Sequence, residues 1–304
     1  IINQASAVFS ISQSKYAIRN EGDIINTKIT STMGLTFSIP EDCSWISSSL
    51  TSDNGYSYTL TTEVSENKTE NSRNTSIRLM SGDGQHHLGT IEIVQVSSDE
   101  EDPNAMILKV RPNYINEFLV DLPLAGEYDC YIDWGDGVIE YCLYSEKPDV
   151  THKYSNTEPE SYTIRIVGRV ISLDSRHSKS HSIEEIVQWG STGLTSLNGA
   201  FKGNFVLKRI TASDNESLSS VQGMTEAFCN CSSLEYIPSD LLYHCKADLN
   251  LEYIFSGCSS LTAIPEDLLI KQTEVTNFSG LFASCKKIQS IPEGLFRYNT
   301  KAVH

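Results

Sequence analysis

Residues 251–265 read Leu-Glu-Tyr-Ile-Phe-Ser-Gly-Cys-Ser-Ser-Leu-Thr-Ala-Ile-Pro, and the same order of residue types returns at a fixed step on either side. Phe201, Phe228, Phe255 and Phe282 lie 27 positions apart, as do Ile210, Ile237, Ile264 and Ile291. Leu207, Leu234, Leu261 and Ile288 keep the interval, and so do Leu197, Met224, Leu251 and Phe278. A fifth column runs Asn204, Cys231, Cys258, Cys285, and prolines 238, 265 and 292 follow the last three isoleucines, with Thr211 in the first copy. A fixed period of this length marks a stacked repeat architecture, because one unit alone cannot bury its apolar face. Within a unit, Leu251, Ile254, Phe255 and Cys258 sit at i, i+3, i+4 and i+7, and Phe278, Leu281, Phe282 and Cys285 do the same. That spacing predicts one face of a short helix. The Leu/Ile-x-x-Ile-Pro segment after it predicts a brief strand, closed by a proline that has no N–H to give a ladder.

These columns resemble the BspA-type leucine-rich repeats of bacterial surface proteins, as in VQGMTEAFCNCSSLEYIPSDLL and its two successors. The resemblance implies an α/β leucine-rich-repeat solenoid. Asn204 and Thr211 depart from the pattern, as suits a capping unit. Thr300–His304 stand where a fifth unit would begin, so the expectation is a longer native chain or an end that stacks on another chain as a concentration-dependent oligomer. Positions just before the column isoleucines, Arg209, Tyr236, Ala263 and Ser290, differ from unit to unit, as a ligand-binding face would.

The remainder of the chain reads as β. At 304 residues it is long enough for two or three domains, and no stretch is apolar enough to span a membrane. The net charge of −16 is uneven: residues 1–190 hold 14 Lys/Arg against 28 Asp/Glu, and residues 191–304 hold 9 against 11. An acidic surface repels phosphate backbones, which argues against a nucleic-acid partner. Of the eight cysteines, none forms a CxxC pair or zinc-finger spacing, and the repeating column reads as buried thiols. His244 beside Cys245 is the one place where a Cys-His nucleophile is conceivable.

The segment Cys130–Cys142, CYIDWGDGVIEYC, predicts two strands joined at Gly135-Asp136-Gly137. If Trp134 pairs with Val138, Cys130 faces Cys142, close enough for a disulfide without requiring one. Asp133 and Asp136 offer too few oxygens for calcium, and the better reading is that they cap the turn's amides. DWGDG followed by THKY (151–154) and YTIRI (162–166) resembles a PKD-like β-sandwich, which implies a spacer or adhesion module.

Ahead of it, short alternating segments such as Leu35–Ile39, Thr75–Met80 and Thr90–Gln95 predict another β-sandwich. Trp45-Ile46, Asn67-Lys68-Thr69, Arg73 with Ile77, and the closing Ile91-Glu92-Ile93-Val94-Gln95 resemble a BACON domain. That resemblance implies an association with carbohydrate-processing surface proteins and a glycan- or mucin-binding or spacer role. No aromatic cluster suggests a sugar platform, and Trp45 reads as core. Residues 98–104 read as a charged linker.

The expected fold class is therefore mainly β: sandwich modules over 1–98 and 103–175, then an α/β leucine-rich-repeat solenoid over 183–304 with a 27-residue period. No hydrolase, metalloprotease or nucleotide-binding motif is present; Glu184-Glu185 reads as a solvated charged face, and His177 and His181 as loop residues. No catalytic residue, cofactor or metal is expected. The expected function is non-catalytic adhesion or ligand capture through the solenoid, with the β-modules as stalk. The alternative is a glycan-binding accessory protein of a carbohydrate-uptake system, acting through the front module. The partner would be a host or neighbouring-cell protein or glycan. The expected location is the cell surface or exterior, lipid-anchored to the outer membrane, with the signal segment outside the sequence.

Overall fold

The structure, a computed structural model, describes residues 8–69, 71–96, 102–112, 117–155, 160–176, 181–246 and 248–303. Most of the expected linker and His177 lie outside the described residues. The chain divides into two compact units, Ile1–Asp102 and Pro103–His304.

The first unit is built from β1 (Phe9–Ile11), β2 (Lys15–Ile18), β3 (Asp23–Ser31), β4 (Thr36–Ser38), β5 (Ile46–Ser52), β6 (Ser57–Val64), β7 (Arg73–Met80) and β8 (His87–Gln95). They form two four-stranded sheets, β1-β3-β6-β5 and β2-β8-β7-β4. Strict alternation along β3 buries Ile25, Thr27, Ile29 and Ser31 and exposes Ile24, Asn26, Lys28 and Thr30, as a strand with one wet face requires. Ile29 and Leu60 from one sheet share a core with Ile77, Leu79 and Ile91 from the other. This is a sandwich.

The second unit holds β9 (Met106–Val110), β10 (Leu119–Leu122), β11 (Leu124–Asp133), β12 (Ile139–Leu143), β13 (Val150–Lys153), β14 (Tyr162–Leu173), β15 (Ile183–Gln188) and β16 (Arg209–Ile210). Strands β10 and β13 pair alone; the other six form one sheet in the order β12-β11-β14-β9-β15-β16. Strands from both sides of the expected boundary near 175–183 thus share one sheet, and a single apolar core continues from Met106 to Leu295. In the hairpin β11–β12, Trp134 N–H donates to Val138 O at 3.0 Å and Cys130 stands opposite Cys142, the register that the turn spacing gives.

Beyond β16 the α/β expectation fails. Among the described residues there is no α-helix; a 3-10 turn at Asn215–Leu218 is the only helical element. The apolar columns are buried as expected, with Leu251, Ile254, Phe255 and Cys258 all fully enclosed. Their backbone, however, is a chain of turns. N–H groups of Ala227, Cys229 and Cys231 donate three residues back, to Met224, Glu226 and Phe228, while those of Glu226, Phe228 and Asn230 donate sideways to Glu252, Ile254 and Ser256 of the next unit. An α-helix would commit every one of these amides four residues back along its own axis. Left-handed residues make the alternation possible: Gly199, Glu226, Tyr253 and Gly280 form one column of positive φ, and Gly203, Asn230, Gly257 and Ser284 a second. None of the three expected Ile-Pro strands forms among the described residues; a strand stands at that place only in the first copy, as β16, and the isolated parallel bridges Ser172↔Ser196, Ser196↔Gly223 and Gly223↔Asn250 lie elsewhere in the repeat. The α/β leucine-rich-repeat solenoid is therefore replaced by a stack of turns with no α-helix among the described residues, in which the rings of Phe201, Phe228, Phe255 and Phe282 lie face to face at 5.4, 5.5 and 5.6 Å. Each cysteine of the column donates its thiol to the phenylalanine carbonyl one unit earlier, Cys231 to Phe201, Cys258 to Phe228 and Cys285 to Phe255, at 3.1–3.2 Å.

Candidate functional site

In the first unit, a groove of about 550 Å³ is lined by Pro40, Asp42, Cys43 and Trp45 from the β4–β5 connection, and by residues 74–76 of β7 and 92–94 of β8. Trp45, expected in the core, is only partly buried; it packs on the core's margin and forms a wall of the groove. The Arg73 guanidinium lies 4.6 Å from its ring centroid, within cation–π range. Arg73 in turn donates Nε to Gln95 Oε1 at 2.9 Å and a terminal N–H to the carbonyls of Ser65 and Glu66. Fully buried Gln95 donates to the carbonyls of Arg19, Asn20 and Ser65, and Asn67 donates to Asn71 and Val96 while accepting from Thr69. The scattered residues singled out in the sequence thus converge at one end of the sandwich and fix the indole. Burial pulls the Arg73 guanidinium below its ordinary value, with Cys43 acting the other way. The groove offers an apolar wall beside the polar side chains of Asp42, Asn74, Ser76 and Glu92, the mixture that suits a small polar ligand carrying an apolar face.

The four repeat positions Arg209, Tyr236, Ala263 and Ser290 are all exposed, but two are already engaged. Arg209 holds Glu185 at 3.1 Å, and Tyr236 Oη donates to Ile210 O at 3.2 Å. Glu185 is itself a surprise: it is 5% exposed, not on a solvated face, and is held by Lys109 at 3.5 Å, Arg209 and the Thr211 hydroxyl at 2.9 Å. Burial raises the pKa of Glu184, but bonds from Lys208 and Ser161 outweigh that and hold it below the usual carboxylate range.

Asp133 and Asp136 cap the turn, accepting from Gly135 N–H at 2.9 Å and Val138 N–H at 3.1 Å. Asp136 also meets His152 Nε2 at 2.8 Å, and the His152 ring stacks on Trp134 at 4.7 Å. No group of three or more metal-ligating side chains converges among the described residues. Cys245 is buried, its thiol pushed up to about 12 by burial, and His244 turns instead to the Tyr243 ring at 5.1 Å. Cys130 and Cys142 are free thiols, raised by burial and, for Cys130, by its neighbour. At His181, burial lowers the pKa against a smaller opposing pull from Asp121.

Residues 35–96 match the BACON family model, described as "Putative binding domain, N-terminal", and every residue lining the groove falls inside that match. No curated protein matches the chain. Among solved structures, a Bacteroides ovatus GH5 xyloglucanase in complex with a XXXG heptasaccharide is 18% identical over 30% of this chain and 19% of that one, with a TM-score of 0.26. WR4, an MSP family member of C. elegans, is 8% identical over 30% of this chain and 97% of its own, at 0.22. The BIgI domain of the beta protein from S. agalactiae, bound to CEACAM1, is 13% identical over 31% and 100%, also at 0.22. Likenesses at this level say nothing about what the chain does, and this chain spans only about a fifth of the xyloglucanase. No helix among the described residues is long and apolar enough to cross a membrane. Residues 35–96 of the first unit thus match the BACON family, and the groove lies inside that match.

Proposed function

We propose that the chain is a non-catalytic binding protein of the cell exterior, and that its first unit takes up a glycan in the groove walled by Trp45. The observation that carries this reading is the coincidence of the groove with residues 35–96, the stretch that matches a binding-domain family. A pyranose has an apolar C–H face and a rim of hydroxyls. The indole suits the first, and the carboxylates of Asp42 and Glu92 with the amide of Asn74 suit the second. The repeat stack supports recognition less well, since Arg209 is already bonded to Glu185 and Tyr236 to the Ile210 carbonyl.

The test is a glycan panel probed with the whole chain, followed by titration of any hit against Trp45→Ala and Glu92→Ala. Each should weaken binding about tenfold or more, a loss of about 1.4 kcal/mol. A panel without hits, or a hit indifferent to both substitutions, sinks the proposal.

A further inference from the structure

Among the described residues the first unit has four sheet edges, and three of them are blunted. β1 and β4 are three residues long, with Pro40 just beyond β4, and β2 is a four-residue strand opening on Lys15, which pairs with Glu92 at 3.2 Å. The fourth, β5 (Ile46–Ser52), is seven residues long, carries no charge and no proline, and ends its sheet. Open edges of that kind are templates for another strand.

The register shows which of its groups are free to pair. Asp53 N–H donates to Ser57 O and Ser65 N–H to Trp45 O, on the same register that pairs β5 with β6 throughout. Odd-numbered residues 45–53 therefore turn their N–H and C=O toward β6, and Ile46, Ser48, Leu50 and Ser52 turn theirs to the outside. We propose that this edge pairs with the same edge of a second copy of this chain, antiparallel about a two-fold axis at Ser49. Only an even register sum satisfies the outward groups, and centring on Ser49 satisfies them all. Ile46 meets Ser52 of the second copy and Ser48 meets its Leu50, with the reciprocal two pairs generated by symmetry. Each pair exchanges two N–H···O bonds. Side chains agree with that register: Ser47 faces Thr51 and Ser49 faces Ser49 on the exposed face, while half-buried Leu50 gains cover beside Ser48 on the core face.

Charge does not oppose a copy of this chain at the seam itself. The whole chain carries −16, so two copies repel, yet nothing between Ser44 and Ser52 is charged and no carboxylate meets another along the seam. The remaining repulsion is long-range and screened by salt, so pairing should strengthen as ionic strength rises. Two joined sheets would also present two grooves, a bivalent arrangement. The pairing itself does not rest on the glycan reading.

The experiment is sedimentation velocity on the whole chain across a concentration series at low and moderate salt. The expected result is a reversible dimer favoured by salt. Ser48→Pro deletes an outward N–H that the sheet itself does not use, and Ser49→Lys sets two ammonium groups across the axis; both should leave a monomer with an unchanged circular dichroism spectrum. Should the proline variant misfold, the lysine variant carries the test alone. Under mild oxidation Ser49→Cys should cross-link to itself well above the unsubstituted chain, and Ser47→Cys should not. A monomer under every condition, a dimer that survives Ser49→Lys, equal cross-linking at 47 and 49, or an edge that accepts only a foreign extended peptide would each overturn it.

Discussion

Gly203 and Gly257 occupy the same place in successive odd units, both at φ +76°, and alanine at each separates two costs. A Cβ at Gly203 would meet nothing closer than His181 Cε1 at 3.5 Å, an ordinary contact, so Gly203→Ala registers the left-handed backbone alone. That costs about 1–2 kcal/mol, offset by about 0.4–1 kcal/mol from the stiffer unfolded chain, for a net loss of about 1 kcal/mol. A Cβ at Gly257 would stand 2.2 Å from Asn230 Oδ1 and 3.2 Å from its Cα, so the Asn230 amide must swing aside as well. Overpacking of that kind adds on the order of 1 kcal/mol, and Gly257→Ala should lose about 2 kcal/mol in all. Gly203→Asn should cost less than Gly203→Ala, since Asn230 already adopts φ +62° at the equivalent position. The assay is urea unfolding followed by the fluorescence of fully buried Trp134 and Trp189, in a Trp45→Phe background. The sign is decisive. In a right-handed helix glycine-to-alanine stabilises by about 0.5–1 kcal/mol, so a stabilised Gly203→Ala would refute the left-handed column and restore helical units.

Phe228 lies between two phenyl rings and is fully enclosed, whereas Phe282 has a single ring partner and is partly exposed, so Phe228→Ala should cost about 3–5 kcal/mol and Phe282→Ala clearly less; equal losses in urea denaturation would show that the stack is not the source. The folded pKa of His181 is depressed from 6.5, so its contribution is full above that value and is lost as pH falls through the folded pKa; Glu184, also depressed, adds a loss below about 4.5. Stability should therefore decline from pH 7 toward pH 5, and His181→Gln should flatten that slope; an unchanged slope would assign it elsewhere. With burial pushing the Cys142 and Cys245 thiols up to about 12 and raising the repeat column as well, a thiol reagent should label half-buried Cys43 first in the native chain. Rapid labelling of any second cysteine, read by mass spectrometry, would contradict the burial described above.

Local chemistry in this chain could be read from the sequence, and chemistry assembled across distance could not. The turn at Gly135–Gly137 fixed both the opposition of Cys130 with Cys142 and the capping by Asp133 and Asp136, because each depends on neighbours within a dozen residues. Trp45 packs against the core as its neighbours suggest, but what leaves it half-open is a groove whose other walls come from β7 and β8, roughly 30 and 50 residues on. Glu185 looked like surface for the same reason: its partners Lys109, Arg209 and Thr211 lie on three other segments.

The helical expectation fails for a different reason. Apolar residues at i, i+3, i+4 and i+7 report only that the chain turns its side chains inward about once per three to four residues. A helix does so with every amide closed on itself, and a run of alternating turns does so with half its amides left over. What distinguishes them is the demand for left-handed backbone, and that demand is written in the column Gly203, Asn230, Gly257, Ser284. Glycine and asparagine are poor inside a helix but fit positive φ, so their recurrence one place before the Asn/Cys column opposes the apolar spacing. The second left-handed column, Gly199, Glu226, Tyr253 and Gly280, conceals the signal by using glycine only at its ends. Lateral bonds repay the strain: the N–H of Glu226 reaches Glu252 O at 2.9 Å and that of Tyr253 reaches Ser279 O at 2.9 Å, so each strained residue supplies a rung between units. A stack that makes its rungs this way has no need of helices.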